Sequence, residues 1–293
     1  MNRQDAAQSK IAIAKTIISW ARHVVPLLAF FVLTSCAVIQ APIHVRIALF
    51  APFEGRYQEV GYNALYAARL AIADTDNAHV DLLAVDDGGT EAASHAAALA
   101  QDPLVLAAVV LGYDGTSPET LKAFGDIPVI VAGDWGAKPL GDSVFILSNP
   151  QIDQQLTVSP RVSVTDAAEA PAPVIGGEVF ALAGFAKLRS SLDGVTVLSS
   201  GTLPDADFVK RYQASDQFAP TPGLLATLSY QATRLAAVVA QDGSRNAATD
   251  MLDGRKSLAG IEGSISFTNG YWDAAQIHRY HYVNGALTDD AVK

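Results

Sequence analysis

His44-Val45-Arg46-Ile47-Ala48-Leu49-Phe50-Ala51 is a short apolar run, and it ends at Pro52-Phe53-Glu54-Gly55. It reads as a buried strand closed by a turn. From Val60 to Asp74 apolar and alanine positions recur at helical spacing, with Leu65, Ala68 and Ile72 on one face. Val80 to Val85 is a second strand, closed by Asp86-Asp87-Gly88-Gly89, and Thr90 can cap an alanine-rich helix to about Ala100. Leu104 to Leu111 is continuously apolar, as a strand covered on both faces should be. A short helix from Pro118 to Phe124 and strands at Ile127–Ala132 and Val144–Leu147 follow. Strand and helix alternating at this spacing predict an α/β fold with a doubly wound parallel sheet.

Downstream the pattern changes. Residues 148–172 hold three prolines and no sustained helical period, and they read as a linker with one strand, Arg161–Val164. Order returns with a strand at Pro173–Ile175, a helix at Glu178–Leu192, a strand at Gly194–Leu198 and a helix at Asp205–Gln213. Leu224–Ala240 is the strongest helix of this half. Two closing strands, Gly263–Phe267 and Gln276–Val283, flank a hairpin-like turn at Thr268-Asn269-Gly270.

Composition narrows the function. The chain has 293 residues, of which half are hydrophobic and 17% charged, and a net charge of −10. That excludes an extended disordered chain and argues against a nucleic-acid partner, which needs a basic face. One cysteine excludes a disulfide framework and a multi-thiolate metal site.

The cysteine has a telling position. Arg3, Lys10, Lys15 and Arg22 precede a ten-residue apolar core, Val24–Leu33, too short to span a bilayer. Leu33-Thr34-Ser35-Cys36 resembles the bacterial lipobox. Residues 1–35 are therefore read as a lipoprotein signal peptide, Cys36 as the lipidated residue that tethers the chain to a membrane, and residues 36–43 as a tether. Without residues 1–35, 16 Lys and Arg face 29 Asp and Glu, a net charge of −13. The expected location is the cell envelope, outside the cytoplasm.

The order of segments resembles the type I periplasmic solute-binding proteins, the branched-chain-amino-acid-binding family of ABC transporters. The resemblance rests on Ile47–Gly55 with Gly61 and Ala67–Ala71, on Val85–Gly89, and on Leu111–Thr116 with Ile127–Ile130. In the second half it rests on Ala206–Tyr212, Ser229–Leu235, Gly260–Phe267 and Tyr280–Val283. It implies two doubly wound lobes joined by a hinge crossed three times. It also implies a small-molecule solute (an amino acid, an amide or a short peptide) captured by closure and passed to an ABC permease. The expected lobes are 44–147 plus about 222–262, and about 148–221 plus 263–293. The proline-rich stretch at 148–172 stands where the family has a strand–helix–strand unit, so the second lobe is expected to be truncated.

The resemblance also places a candidate site. Arg56 and Tyr57 lie in the first loop, where the arginine could pair with a carboxylate or simply be solvated. Tyr113, Thr116 and Ser117 follow the third strand. There, hydroxyls and helix-start amides would hold a ligand carboxylate, although Thr116-Ser117-Pro118-Glu119 equally fits a helix cap. If Ser117 caps, Thr116 is free for ligand. Gly133, Asp134 and Trp135 end the fourth strand, with Asp134 able to neutralise an ammonium and Trp135 able to stack, or to cap and pack respectively. Glu178 stands where the family places an aromatic contact. The acid that a branched-chain binder would supply near Gly201-Thr202 is missing, so Asp134 or Glu178 would have to substitute.

Enzymatic signatures are lacking: no G-x-S-x-G, no phosphate-binding G-x-x-x-x-G-K-[ST] and no H-E-x-x-H occurs. His278 and His281 face opposite sides of a strand and cannot share a metal. Neither cofactor nor metal is expected. The alternative reading is an envelope lipoprotein that uses this fold as a protein-interaction or regulatory module.

Overall fold

A computed structural model describes residues 44–75, 79–253, 258–260 and 263–290. The expected signal peptide, Cys36 and the tether lie outside the described residues. From His44 onward the chain forms one compact unit.

Five parallel strands make the first sheet: β1 (Val45–Ala51), β2 (Val80–Asp86), β3 (Val105–Val110), β4 (Val129–Ala132) and β5 (Val144–Leu147), in the order β2-β1-β3-β4-β5. Every residue of β3, β4 and β5 is buried, which explains their unbroken apolar sequences. The chain leaves β1 toward one edge and returns past it to β3. Right-handed crossovers then place α1 (Gln58–Asp74) on one face and α2 (Ala92–Ala100) with α3 (Pro118–Ala123) on the other. Gly61 lets α1 start close against the strand end: its amide donates to the Pro52 carbonyl at 3.2 Å, and a Cβ there would lie 2.2 Å from that oxygen.

The second sheet has the order β11-β10-β7-β6. β6 (Val174–Gly176) and β7 (Val195–Ser199) are parallel, and β10 (His278–Val283) runs antiparallel to β7 and to β11 (Ala286–Asp289). The strand β11 was not foreseen. Its turn, Asn284-Gly285, has both residues at positive φ, 52° and 80°, the signature of a two-residue hairpin. The turn at Thr268-Asn269-Gly270 is also tight, but it does not join the two strands expected to flank it. β9 (Gly263–Ile265) pairs with β8 (Leu258–Gly260), while Ile146 of β5 bridges Tyr271. Gly270–Trp272 thereby extends the edge of the first sheet, through Ile146 N–H to Gly270 O at 2.7 Å and Trp272 N–H to Ile146 O at 3.1 Å.

Three other expectations change. Residues 161–164 are not a strand. The 148–172 stretch carries two short helices, α4 (Ile152–Gln155) and α5 (Val164–Glu169), the second capped by the Ser163 hydroxyl. The helix expected at Glu178–Leu192 is broken into a 3-10 turn, Glu178–Ala181, and α6 (Ala183–Leu188), because Glu178 turns inward to the end of β7. Finally, α7 (Ala206–Ser215) packs on α1, not on the second sheet: the Tyr212 hydroxyl donates to the Asn63 carbonyl at 3.2 Å, and Arg211 pairs with Asp74 at 2.6 Å. α8 (Leu224–Val239) also lies against α1, β3 and β4, and all of its residues except Arg234 and Val238 are buried. α9 (Arg245–Asp253) follows.

The backbone thus passes between the sheets three times: after Leu147, after Ser199 and after Trp272. Asn149 ties the three passages together. Its amide N–H donates to the Ser200 hydroxyl at 2.9 Å, and its side-chain amide donates to the carbonyls of Asp273 at 3.1 Å and Ala275 at 2.7 Å.

Candidate functional site

In a 2-1-3-4-5 sheet the strand order reverses between β1 and β3, and open sheets bind ligands in the crevice at the carboxyl ends there. The residues singled out in sequence all sit on the loops that leave these ends, or on the facing end of β6. Tyr57, in the 3-10 turn Gly55–Tyr57, packs edge-on to Tyr113 at 5.7 Å, and Tyr113 packs edge-on to Trp135 at 5.5 Å. These three rings form one wall. Trp135 is fully buried, and its indole N–H donates to the Ala132 carbonyl at 2.9 Å. Burial pushes the Tyr113 phenol well above the ordinary tyrosine range.

Ser117 is the cap of α3: its hydroxyl accepts the Thr120 amide at 3.2 Å and donates to the Thr120 hydroxyl at 2.8 Å. Thr116, expected to be free when Ser117 caps, is engaged as well. It is buried, and its hydroxyl donates to the Gly112 carbonyl at 2.7 Å. Both hydroxyl protons therefore serve the loop.

The acids converge. Glu178, 1% exposed, reaches from the end of β6 to the end of β4. It accepts the Asp134 amide at 3.2 Å and the Ser199 hydroxyl at 2.8 Å. Gly133 permits this approach: it has φ of +91°, and a Cβ there would lie 3.3 Å from the Glu178 carboxyl carbon. Asp134 itself accepts the Gly136 amide at 2.9 Å. Burial raises the pKa of both carboxyls, and for Asp134 the nearby charges of Glu178 and Asp153 raise it further. Asp153 is anchored by Lys138 at 2.7 Å.

Sequence reasoning missed Arg161, Ser199 and Asp153. Arg161 lies over the Tyr113 ring, 5.4 Å from its centre, and donates to the carbonyls of Trp135, at 3.1 Å, and Tyr113. Its neighbours join in. The Val164 amide donates to the Tyr57 hydroxyl at 3.1 Å, the Tyr113 hydroxyl donates to the Val162 carbonyl at 2.8 Å, and Arg56 donates to the Thr165 hydroxyl at 2.8 Å. The segment 161–165 is thus stitched across the loops of the first sheet. The Ser163-x-x-Asp166 cap was the local signal that this stretch is helical rather than extended.

No protein-family model matches the chain, and no curated protein matches it. Solved structures do. The branched-chain amino acid transporter substrate-binding protein LivJ of Streptococcus pneumoniae, in complex with isoleucine, superimposes with a TM-score of 0.62 at 15% identity, over 84% of this chain and 99% of that one. The fold is that of the type I periplasmic binding proteins. The leucine-binding protein LivK of Thermotoga maritima gives a TM-score of 0.64 at 14% identity, over 84% of this chain and 97% of that one. A solute-binding protein of an ABC transporter from R. palustris, in complex with benzoate, gives 0.61 at 13% identity, over 84% and 95%. Asn149 sits where the chain passes from the five-stranded to the four-stranded sheet. Among the described residues no helix is long and apolar enough to cross a membrane, and no group of three or more His, Cys, Asp or Glu is placed to hold a metal.

Proposed function

We propose that this chain is a lipid-anchored extracytoplasmic solute-binding protein. It captures a small solute (an amino acid, an amide or a short peptide) by closure of two lobes and delivers it to an ABC permease. The lobes are 44–147 with about 203–272, and about 148–202 with 273–293, the second one reduced. Cys36 carries the anchor, and no cofactor or enzymatic step is involved.

The observation that carries this reading is the meeting of Asp134 and Glu178 across the strand ends. These two buried carboxyls have no ion-pair partner among the described residues, the nearby Lys138 being held by Asp153. A solute's ammonium would supply one, restore their ionised forms, and find an apolar wall in Tyr57, Tyr113 and Trp135. Arg56 and Glu178 then flank the entrance and the floor, Gly133 gives the floor its clearance, and Thr116 with Ser117 hold the loop in shape. The structural likeness to proteins solved with isoleucine and benzoate supports solute binding in this crevice.

The test is a thermal-shift panel of amino acids, amides, diamines and short peptides on the chain from Cys36 onward. Stabilisation by an amine-bearing solute, following RT ln(1 + [L]/Kd), and its loss in Asp134→Asn are the expected results. A flat response across the panel would sink the reading. For the anchor, labelled palmitate should enter the wild-type chain and not Cys36→Ser.

One observation favours a second reading, a protein-interaction module without transport. Arg161 and its neighbours already occupy the loops that a solute would use. Capture of a fixed envelope partner by a chain that ignores all solutes would select it.

A further inference from the structure

Beside the strand-end crevice, and sharing no residue with the site above, lies a cavity of about 630 Å³. This size falls inside the roughly 300–1,000 Å³ of small-molecule sites. Its walls come from both halves of the molecule. Glu59 at the start of α1 and Leu224 at the start of α8 form one side. Leu182, Lys187 on α6 and Leu287 on β11 form the other, and Leu203, on the second passage between the sheets, closes it.

The lining is mainly apolar, and its two charges are unequal. Both oxygens of Glu59 are taken, by the amides of Ala183 at 2.6 Å and Gly184 at 2.9 Å. Its charge is thus met by the chain, and Glu59 acts as a strut between α1 and α6. Lys187 is exposed at the rim, with no hydrogen-bond or ion-pair partner among the described residues. An occupant of this cavity meets five leucines, Leu182, Leu192, Leu203, Leu224 and Leu287, and one ammonium with no partner among the described residues.

We propose that this cavity binds a small apolar monocarboxylate, with its chain against Leu182, Leu203, Leu224 and Leu287 and its carboxylate on Lys187. The chemistry follows from what is unmet: apolar surface that gains by excluding water, and a cation that lacks a counter-charge. The proposal is independent of what the strand-end crevice binds.

Equilibrium dialysis of the full-length chain against labelled butyrate, hexanoate, octanoate and decanoate tests it. Saturable binding should tighten about fourfold per added methylene until the cavity is filled. Lys187→Ala should weaken octanoate roughly two- to fivefold and leave neutral octanol unchanged. Ala186→Trp and Leu287→Trp, each placing a bulky ring in the cavity, should abolish binding while the circular dichroism stays that of the wild type. If only one of the two folds, that one decides. Absence of saturable octanoate binding, affinity indifferent to chain length, equal loss of octanol in Lys187→Ala, or full binding in a folded tryptophan variant would each overturn the assignment. A crevice solute that still binds when octanoate does not leaves the proposed function standing.

Discussion

Asn149 and Ala275 are 126 residues apart in sequence and are joined by a 2.7 Å hydrogen bond from side-chain amide to backbone carbonyl. With Ser200 held by the Asn149 backbone N–H and Asp273 by its side chain, every passage between the sheets is fastened at one residue. Asn149→Ala would leave two carbonyls in this junction without donors. The expected cost is about 1–3 kcal/mol, read as a lowered midpoint in urea unfolding. Asn149→Asp should be at least as costly, since an ionised carboxylate cannot donate to either carbonyl.

The buried acids set the pH dependence. Glu178 and Asp134 both have pKa values raised in the folded chain, so the native state holds protons that the unfolded state has already lost. Unfolded carboxyls titrate near pH 4 (about 3.9 for Asp and about 4.3 for Glu). Their contribution to stability should therefore be fully present below that range, and fall as pH rises from it through neutrality. Glu178→Gln should flatten this fall. Its amide oxygen can still accept the Asp134 amide, and its NH2 can donate to the Ser199 hydroxyl. Melting temperatures of the two proteins from about pH 5 to about pH 9 decide the matter. Parallel curves would refute it.

Arg161 holds the 161–165 segment down on the first sheet's loops through two carbonyls and a ring. Arg161→Ala should speed amide exchange at Val164, whose N–H is held by the Tyr57 hydroxyl, while amides in β3 and β4 keep their protection. Tyr57→Phe should expose the same amide without touching Arg161. Unchanged exchange at Val164 in both variants would show that other contacts fix the segment.

Gly133 combines φ of +91° with a close approach to Glu178. Gly133→Ala would add backbone strain and press on the Glu178 carboxyl. A loss of roughly 1–3 kcal/mol is expected in chemical denaturation. The double variant Gly133→Ala, Glu178→Ala should lose less than the sum of the two singles, because the contact between them is removed once.

How far the sequence carried depended on the range of the interactions involved. β3 and, from Ile47 onward, β1 were legible because burial on all sides leaves a local mark, an unbroken apolar run, and α8 because its length and leucine and alanine content read as a helix. The Ser117 cap was legible for the same reason: donor and acceptor lie three residues apart. The contact between Asp134 and Glu178 spans 44 residues, and that between Tyr57 and Val164 spans 107, so neither leaves a pattern in a window of sequence. Residues 178–192 failed as one helix for a related reason. Their helical period was real, but the Ser199 hydroxyl drew Glu178 inward and broke the first turn. The Asn284-Gly285 hairpin was readable and was overlooked.

The order of strands along the chain also bears on biosynthesis. The first sheet begins at Val45, yet α8, which covers β3 and β4, and Gly270–Trp272, which finishes the edge at β5, belong to its last third. A nascent polypeptide emerging from its N-terminus must therefore carry five apolar strands with one flank bare until almost all of it has been made. With this wiring the first sheet can be covered and its edge completed only when the last third of the polypeptide is available.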